Sequence, residues 1–122
     1  MNNPKSGYRD LVVWQRAVDL VPKVYERLRS FPKHETYALA DQIRRAVVSI
    51  PANIAEGQAR RSKKEFLQHL SIAKGSLAEL QTLLIVAEKL GYLTPAQLVE
   101  VEQDLTQVGR PLAGLMTRLR SA

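Results

Sequence analysis

Residues 62–91, SKKEFLQHLSIAKGSLAELQTLLIVAEKLG, read as one helix from cap to stop. Ser62-Lys63-Lys64-Glu65 is a capping box, in which the serine side chain and the acid three residues on satisfy each other's free N–H groups. Phe66, Leu70, Ala73, Leu77, Leu80, Leu84 and Ala87 then follow in strict heptad order, the spacing that lays one apolar seam along a helix. Gly91 is the stop, because glycine takes the left-handed conformation that closes a helix. A second apolar set, Ile72, Leu83, Val86 and Leu90, lies on another face. One seam is enough for a monomeric bundle, so this surplus fits either a wide core face or a surface hidden by a second copy.

Working outward, Leu11, Trp14, Val18, Val21, Tyr25 and Leu28 predict a first helix over about residues 11–30, bent at Pro22. Val13, Ala17 and Val24 give it a second apolar face too. A second helix is expected from about Glu35 to Gly57, its N-terminal cap not evident, with Leu39, Ile43, Ala46, Val47, Ile50 and Ile54 inward. Thr94-Pro95-Ala96-Gln97 opens a fourth, with proline at its first position. It continues through Leu98, Val101, Leu105, Val108, Leu112, Leu115 and Leu119. No segment alternates as a strand, so the fold class is all-α. Short connections predict an antiparallel up-down-up-down four-helix bundle. The 122 residues make a single domain, 1–122, with residues 1–9 expected to be a flexible N-terminus.

The second helix holds the unusual chemistry. Gln42, Arg45, Ser49, Asn53 and Glu56 form a narrow polar stripe beside its apolar face. Pro51 stands in the helix interior, removes a backbone donor and kinks the axis. The kink leaves the Val47 carbonyl without its helical partner, and the Asn53 amide is expected to bond backbone groups there or a polar partner across the helix pair. A ligand contact for Asn53 is the weaker reading. Gly57 is expected to end this helix, and Gly75 to let α-helices approach closely near Ala46 or Ala52. Glu56 and Glu79 could pair for acid–base work, but neutralisation by Arg44 or Arg45 is the commoner fate of such acids in a bundle. Trp14 and Tyr25 read as packing residues; Tyr8, Tyr37 and Tyr92 lie near helix ends, where plugging the core is their ordinary role.

Arg44-Arg45-Ala46, the run Ser49 to Gly57, and Ala73-Lys74-Gly75-Ser76-Leu77-Ala78-Glu79-Leu80 resemble the bacterial four-helix-bundle family of 23S rRNA intervening-sequence proteins. The likeness extends from Tyr8 through Asp10-Leu11 and Trp14-Gln15 to Gly91-Tyr92-Leu93, and the family is related to the accessory variability determinant of diversity-generating retroelements. The resemblance implies a homopentameric helical barrel with basic surfaces that binds nucleic acid or a nucleoprotein partner. It implies no enzymatic reaction. Beyond Thr94 the match is one of helical pattern only.

Composition sets limits around that reading. Apolar content of 45% and charged content of 25% are ordinary for a globular domain. Without cysteine there is no disulfide, thiolate metal site or cysteine nucleophile. Neither His34 nor His69 stands three residues after a glutamate, the spacing a di-iron bundle uses. No metal, cofactor or catalytic residue is therefore expected. No apolar run long enough to span a membrane and no signal peptide are evident, which makes the cytoplasm the expected compartment.

Net charge is +6, and its placement is uneven. Arg44, Arg45, Arg60, Arg61, Lys63 and Lys64 face only Glu56 between residues 44 and 64, whereas Glu79 to Asp104 is acidic. Together with Lys74, these six are the expected nucleic-acid contacts; Ser49, Pro51, Asn53, Glu56, Gly57 and Glu79 are the expected structural polar motif. The alternative is a structural or protein-interaction module whose basic residues pair with acidic helices of neighbouring copies.

Overall fold

Several of the helix ends in this chain fall where a side chain or a glycine satisfies them. The computed structural model describes residues 7–122. Its helices are α1 (Val12–Leu28), α2 (Leu39–Ala59), α3 (Lys63–Lys89) and α4 (Pro95–Ser121). Single 3₁₀ turns at Gly7–Asp10 and Lys33–Glu35 precede α1 and α2. The described residues contain no strand. The Ser62 side chain accepts from the Glu65 N–H, and Thr94 and Gln97 complete a reciprocal box at the start of α4. Gly91, at φ 82°, closes α3, with Tyr92 N–H bonded to Ala87 O and Gly91 N–H to Glu88 O. Those two bonds are a Schellman motif.

Contacts join α1 to α2, α2 to α3, α3 to α4 and α4 back to α1, with no diagonal pair, so the helices stand at the corners of a square. Polar contacts between α1 and α4 run in opposite senses: Arg16 to Gln107, Lys23 to Asp104, Arg27 to Glu100. The core is entirely apolar, with Leu20, Ile43, Ile50, Leu70, Leu80, Leu84 and Leu112 among its fully enclosed side chains.

Several expectations change. Helix α2 begins at Leu39 rather than Glu35, and its missing cap comes from outside: the Glu35 carboxylate accepts the Leu39 N–H at 3.2 Å. The helix also runs past Gly57 to Ala59, with Arg60 leaving in extended conformation. Of the flexible segment expected over residues 1–9, residues 1–6 lie outside the described region; Gly7–Asp10 form an ordered turn, with Tyr8 edge-on to Trp14 at 5.1 Å. On length and composition α3 does suffice to cross a membrane, against the sequence expectation. Its second apolar stripe is the reason, since two stripes raise apolarity while the seam still packs inside the bundle.

The Tyr92 hydroxyl donates to Glu35 Oε2 at 2.8 Å and so fastens α2's cap to the α3–α4 loop. This bond, and then the one from Leu39 N–H, hold the Glu35 carboxyl below its ordinary 4.5, while Glu35 raises Tyr92 above its ordinary 10.0. A depressed carboxyl contributes stability above its unfolded value and loses it as pH falls through the folded one. A raised phenol contributes below its unfolded value and loses it as pH rises through the folded one. The melting-temperature gap between wild type and Tyr92→Phe should therefore be widest near about pH 7 and shrink toward about pH 3 and pH 11. Thermal melts at the three pH values check this; a flat gap would mean the bond does not form.

Candidate nucleic-acid interface

Antiparallel packing of an even number of helices brings the start of α1, the α2–α3 turn and the end of α4 to one pole. Arg60, Arg61, Lys63 and Lys64 are all exposed in that turn. Lys63 Nζ donates to the Ala122 backbone carbonyl at 2.6 Å, which places the end of α4 beside the turn. Arg118 and Arg120 are exposed on its last turns, and Arg118 lines a cleft with Asp10 and Leu11. Arg9 sits in the turn before α1. Among the described residues, seven cations thus meet three acids, Asp10, Glu56 and Glu65, at this end. The one ion pair among them, Arg60–Glu56 at 3.8 Å, is half-exposed on both sides and does little to neutralise the pole.

Arg9, Arg118 and Arg120 escaped the sequence reading because they lie far from residues 60–64 along the chain. The up-and-down topology was the signal that could have found them.

The other expected contacts are elsewhere. Arg44 and Arg45 precede Arg60 by fifteen or sixteen residues on α2, roughly 22 Å along the axis at ~1.5 Å per residue. Both engage Asp41, Arg45 through Nε at 2.9 Å and Arg44 at 3.6 Å, and Arg44 also donates to the Thr36 carbonyl. Beside them an open groove of about 430 Å³ is lined by Tyr25, Asp41, Arg44, Arg45, Val48 and Ser49. Lys74 is exposed midway along α3. The seven residues named from sequence therefore do not make one surface; four of them do.

Of the polar motif, Ser49 and Asn53 bond within α2, and Asn53 and Glu56 reach across to α3. Ser49 Oγ donates to Ala46 O and Asn53 Nδ2 to Ser49 O, each at 2.8 Å. Asn53 thus bonds a carbonyl beside the kink, but not that of Val47, to which no side chain donates among the described residues. Asn53 Oδ1 lies 3.4 Å from His69 Nδ1, and His69 Nε2 lies 3.8 Å from Glu56 Oε1. His69, mostly covered, was not singled out in the sequence. Glu56 pairs with Arg60 and His69, not with Arg44 or Arg45. Glu79 is exposed on α3, with no ion-pair partner among the described residues. It stands ten residues beyond His69, so the two glutamates are about 15 Å apart along the axis and make no catalytic pair.

The close approach expected at Gly75 falls at Gly57 instead. A Cβ on Gly57 would sit 2.5 Å from His69 Cβ, so this is where α2 and α3 close up. A Cβ on Gly75 would meet nothing within 4 Å.

The family model described as 23S rRNA-intervening sequence protein matches residues 9–114. The chain belongs to that family. The match runs well beyond Thr94, so α4, which the sequence motifs left uncovered, is part of the family's domain. A crystal structure of a protein of unknown function from the S23 ribosomal protein family of Bacteroides thetaiotaomicron is similar, with a TM-score of 0.80 and 22% identity. The alignment covers 90% of this chain and 99% of that one, and at this identity it speaks for the fold. A search of curated proteins found no match.

Proposed function

We propose that this protein is a non-enzymatic, cytoplasmic binder of structured RNA or a comparable polyanion, using the basic pole at the α2–α3 turn. The observation that carries the reading is the meeting of Arg60, Arg61, Lys63 and Lys64 with Arg9, Arg118 and Arg120 at one end of the bundle. Side chains of this kind, exposed and sparsely paired, contact phosphate rather than bases and give affinity with little sequence preference. The family description, which refers to an intervening sequence of 23S rRNA, makes RNA the first polyanion to try. A nucleoprotein such as a reverse transcriptase complex would be met through the same pole. The chain acts as a homo-oligomeric ring, a pentamer by family likeness, which sets identical poles side by side so that one strand touches several and weak attractions multiply.

The test is the salt dependence of binding to a structured RNA. Log affinity against log salt should fall with a slope of magnitude about 0.7–0.9 per phosphate neutralised. Changing Arg60, Arg61, Lys63 and Lys64 to Gln should flatten it, and adding Arg118→Gln and Arg120→Gln should flatten it further. Lys74→Gln should leave it unchanged. Binding no stronger than that of a non-basic control protein at ~0.15 M salt would discard the reading in favour of a protein-interaction module.

A further inference from the structure

Two surfaces on this bundle have no explanation within a single copy. The first is a ridge on α3. Ile72, Val86 and Leu90 are 52%, 39% and 53% exposed, with Leu83 part-buried between them. Their spacing is that of a helix–helix seam, yet no helix among the described residues covers it. Glu79 stands at its centre without an ion-pair partner among the described residues. Gly75 shares the stripe with open space before it, although glycine inside a helix is less stable than alanine. A second helix pressed close would account for both the glycine and the exposed side chains.

The second surface is the α1–α2 groove. Tyr25 and Val48 are 41% and 44% exposed on its walls, and Arg44 and Arg45 share the single carboxylate of Asp41. The groove therefore carries one unbalanced positive charge beside Tyr25 and Val48. The ridge carries one unbalanced negative charge, that of Glu79, beside its apolar side chains.

Position relates the two. His69 packs on α2, whereas Leu77 and Gln81 meet α4. On the helical wheel the ridge falls beyond His69, on the α2 side. Ridge and groove therefore occupy adjacent faces of the square bundle, about a quarter-turn apart. Their heights agree as well. Gly57 touches His69; Arg45 lies twelve residues back along α2 and Glu79 ten residues on along antiparallel α3. At ~1.5 Å per residue the two charges differ in level by only about 3 Å.

We propose that the α3 ridge of one copy seats in the α1–α2 groove of the next, with Glu79 paired to Arg45 across the contact. This deepens the ring reading above and rests on it. A head-to-tail contact between different faces produces a ring if it rotates without climbing, and an open filament if it climbs. The matched levels remove the climb, and a rotation near a quarter-turn closes at about four or five copies. Because that axis runs along the bundle, every basic pole faces the same side. A lipid surface is the poorer occupant, since it would leave Glu79 buried without a partner.

Sedimentation equilibrium on the full chain tests the contact. Wild type should assemble, while a ridge variant, Ile72→Asp with Val86→Asp, and a groove variant, Arg45→Glu with Val48→Asp, should each run as a 13.7 kDa monomer of unchanged helicity. Mixed one to one, they should form a species of twice that mass, because each supplies the half the other lacks. Glu79→Arg or Arg45→Glu alone should weaken association at least tenfold, and the two together in one chain should restore it. This charge swap at exposed positions decides the matter if the aspartate variants do not fold. Wild type at 13.7 kDa throughout the micromolar range would overturn both this contact and the ring. An assembled ridge variant, mixed variants that stay monomeric, or a swap that restores nothing would overturn this contact alone. A wild type that sediments with neutral phospholipid vesicles, and a ridge variant that does not, would assign the ridge to lipid instead.

Discussion

Gly57→Ala should destabilise the fold by about 2 kcal/mol, although alanine is the better helix former by about 1 kcal/mol. The added methyl would lie 2.5 Å from His69 Cβ and 3.1 Å from Phe66 Cδ1. The first neighbour is fixed to the α3 backbone and cannot rotate away, so the helices themselves must part. The α2–α3 contact is the most extensive in the bundle, and separating it loosens Ile50, Ile54, Leu70 and Ala73 together. Overpacking at ~1–3 kcal/mol, on top of loosened core contacts, outweighs the propensity gain. A melting temperature lower by about 5–10 °C is the expected reading at this chain length. Gly75→Ala is the control of opposite sign: with open space around it, the substitution should raise stability when measured below the concentration at which copies associate. Equal effects at the two glycines would contradict the close approach at Gly57.

Leu80→Ala should cost about 2–5 kcal/mol, the range for truncating an enclosed leucine that leaves a cavity. Leu80 is fully buried on the α3 seam, whereas Ile72, of equal size on the same helix, is half in solvent. Ile72→Ala should therefore cost well under half as much in the dissociated chain, because most of what it loses was not buried. Urea denaturation of both variants at low concentration measures the difference. At concentrations where copies assemble, the Ile72→Ala effect should grow while that of Leu80→Ala changes little.

The helices and their order were legible because amphipathic spacing, capping boxes and turn glycines act within a few residues. Ser62 and Thr94 cap as their neighbours predict, and the Gly91 stop is local backbone chemistry. The start of α2 was not legible, since its cap is Glu35, held in place by Tyr92 of the α3–α4 loop, 57 residues away along the chain. Gly57 looked like a terminator for a similar reason. Glycine serves helix ends and close packing alike, and only the partner helix shows which.

The candidate site divides in the same way. Runs such as Arg60-Arg61-Ser62-Lys63-Lys64 are visible in one dimension, and their exposure follows from lying in a turn. That Arg118 and Arg120 join them while Arg44 and Arg45 do not depends on helix direction and on roughly 22 Å of helix length. By itself, the sequence determined four amphipathic helices, their order, the family and a cationic turn, because each is written in local periodicity or contiguous motif. Tertiary structure alone decided that α1 buries Val13, Ala17, Leu20 and Val24 and leaves Val18 and Tyr25 of the expected seam exposed, and which glycine lets helices touch. It alone gathered cations from both ends of the chain at one pole, because burial and proximity belong to the packing of helices against one another.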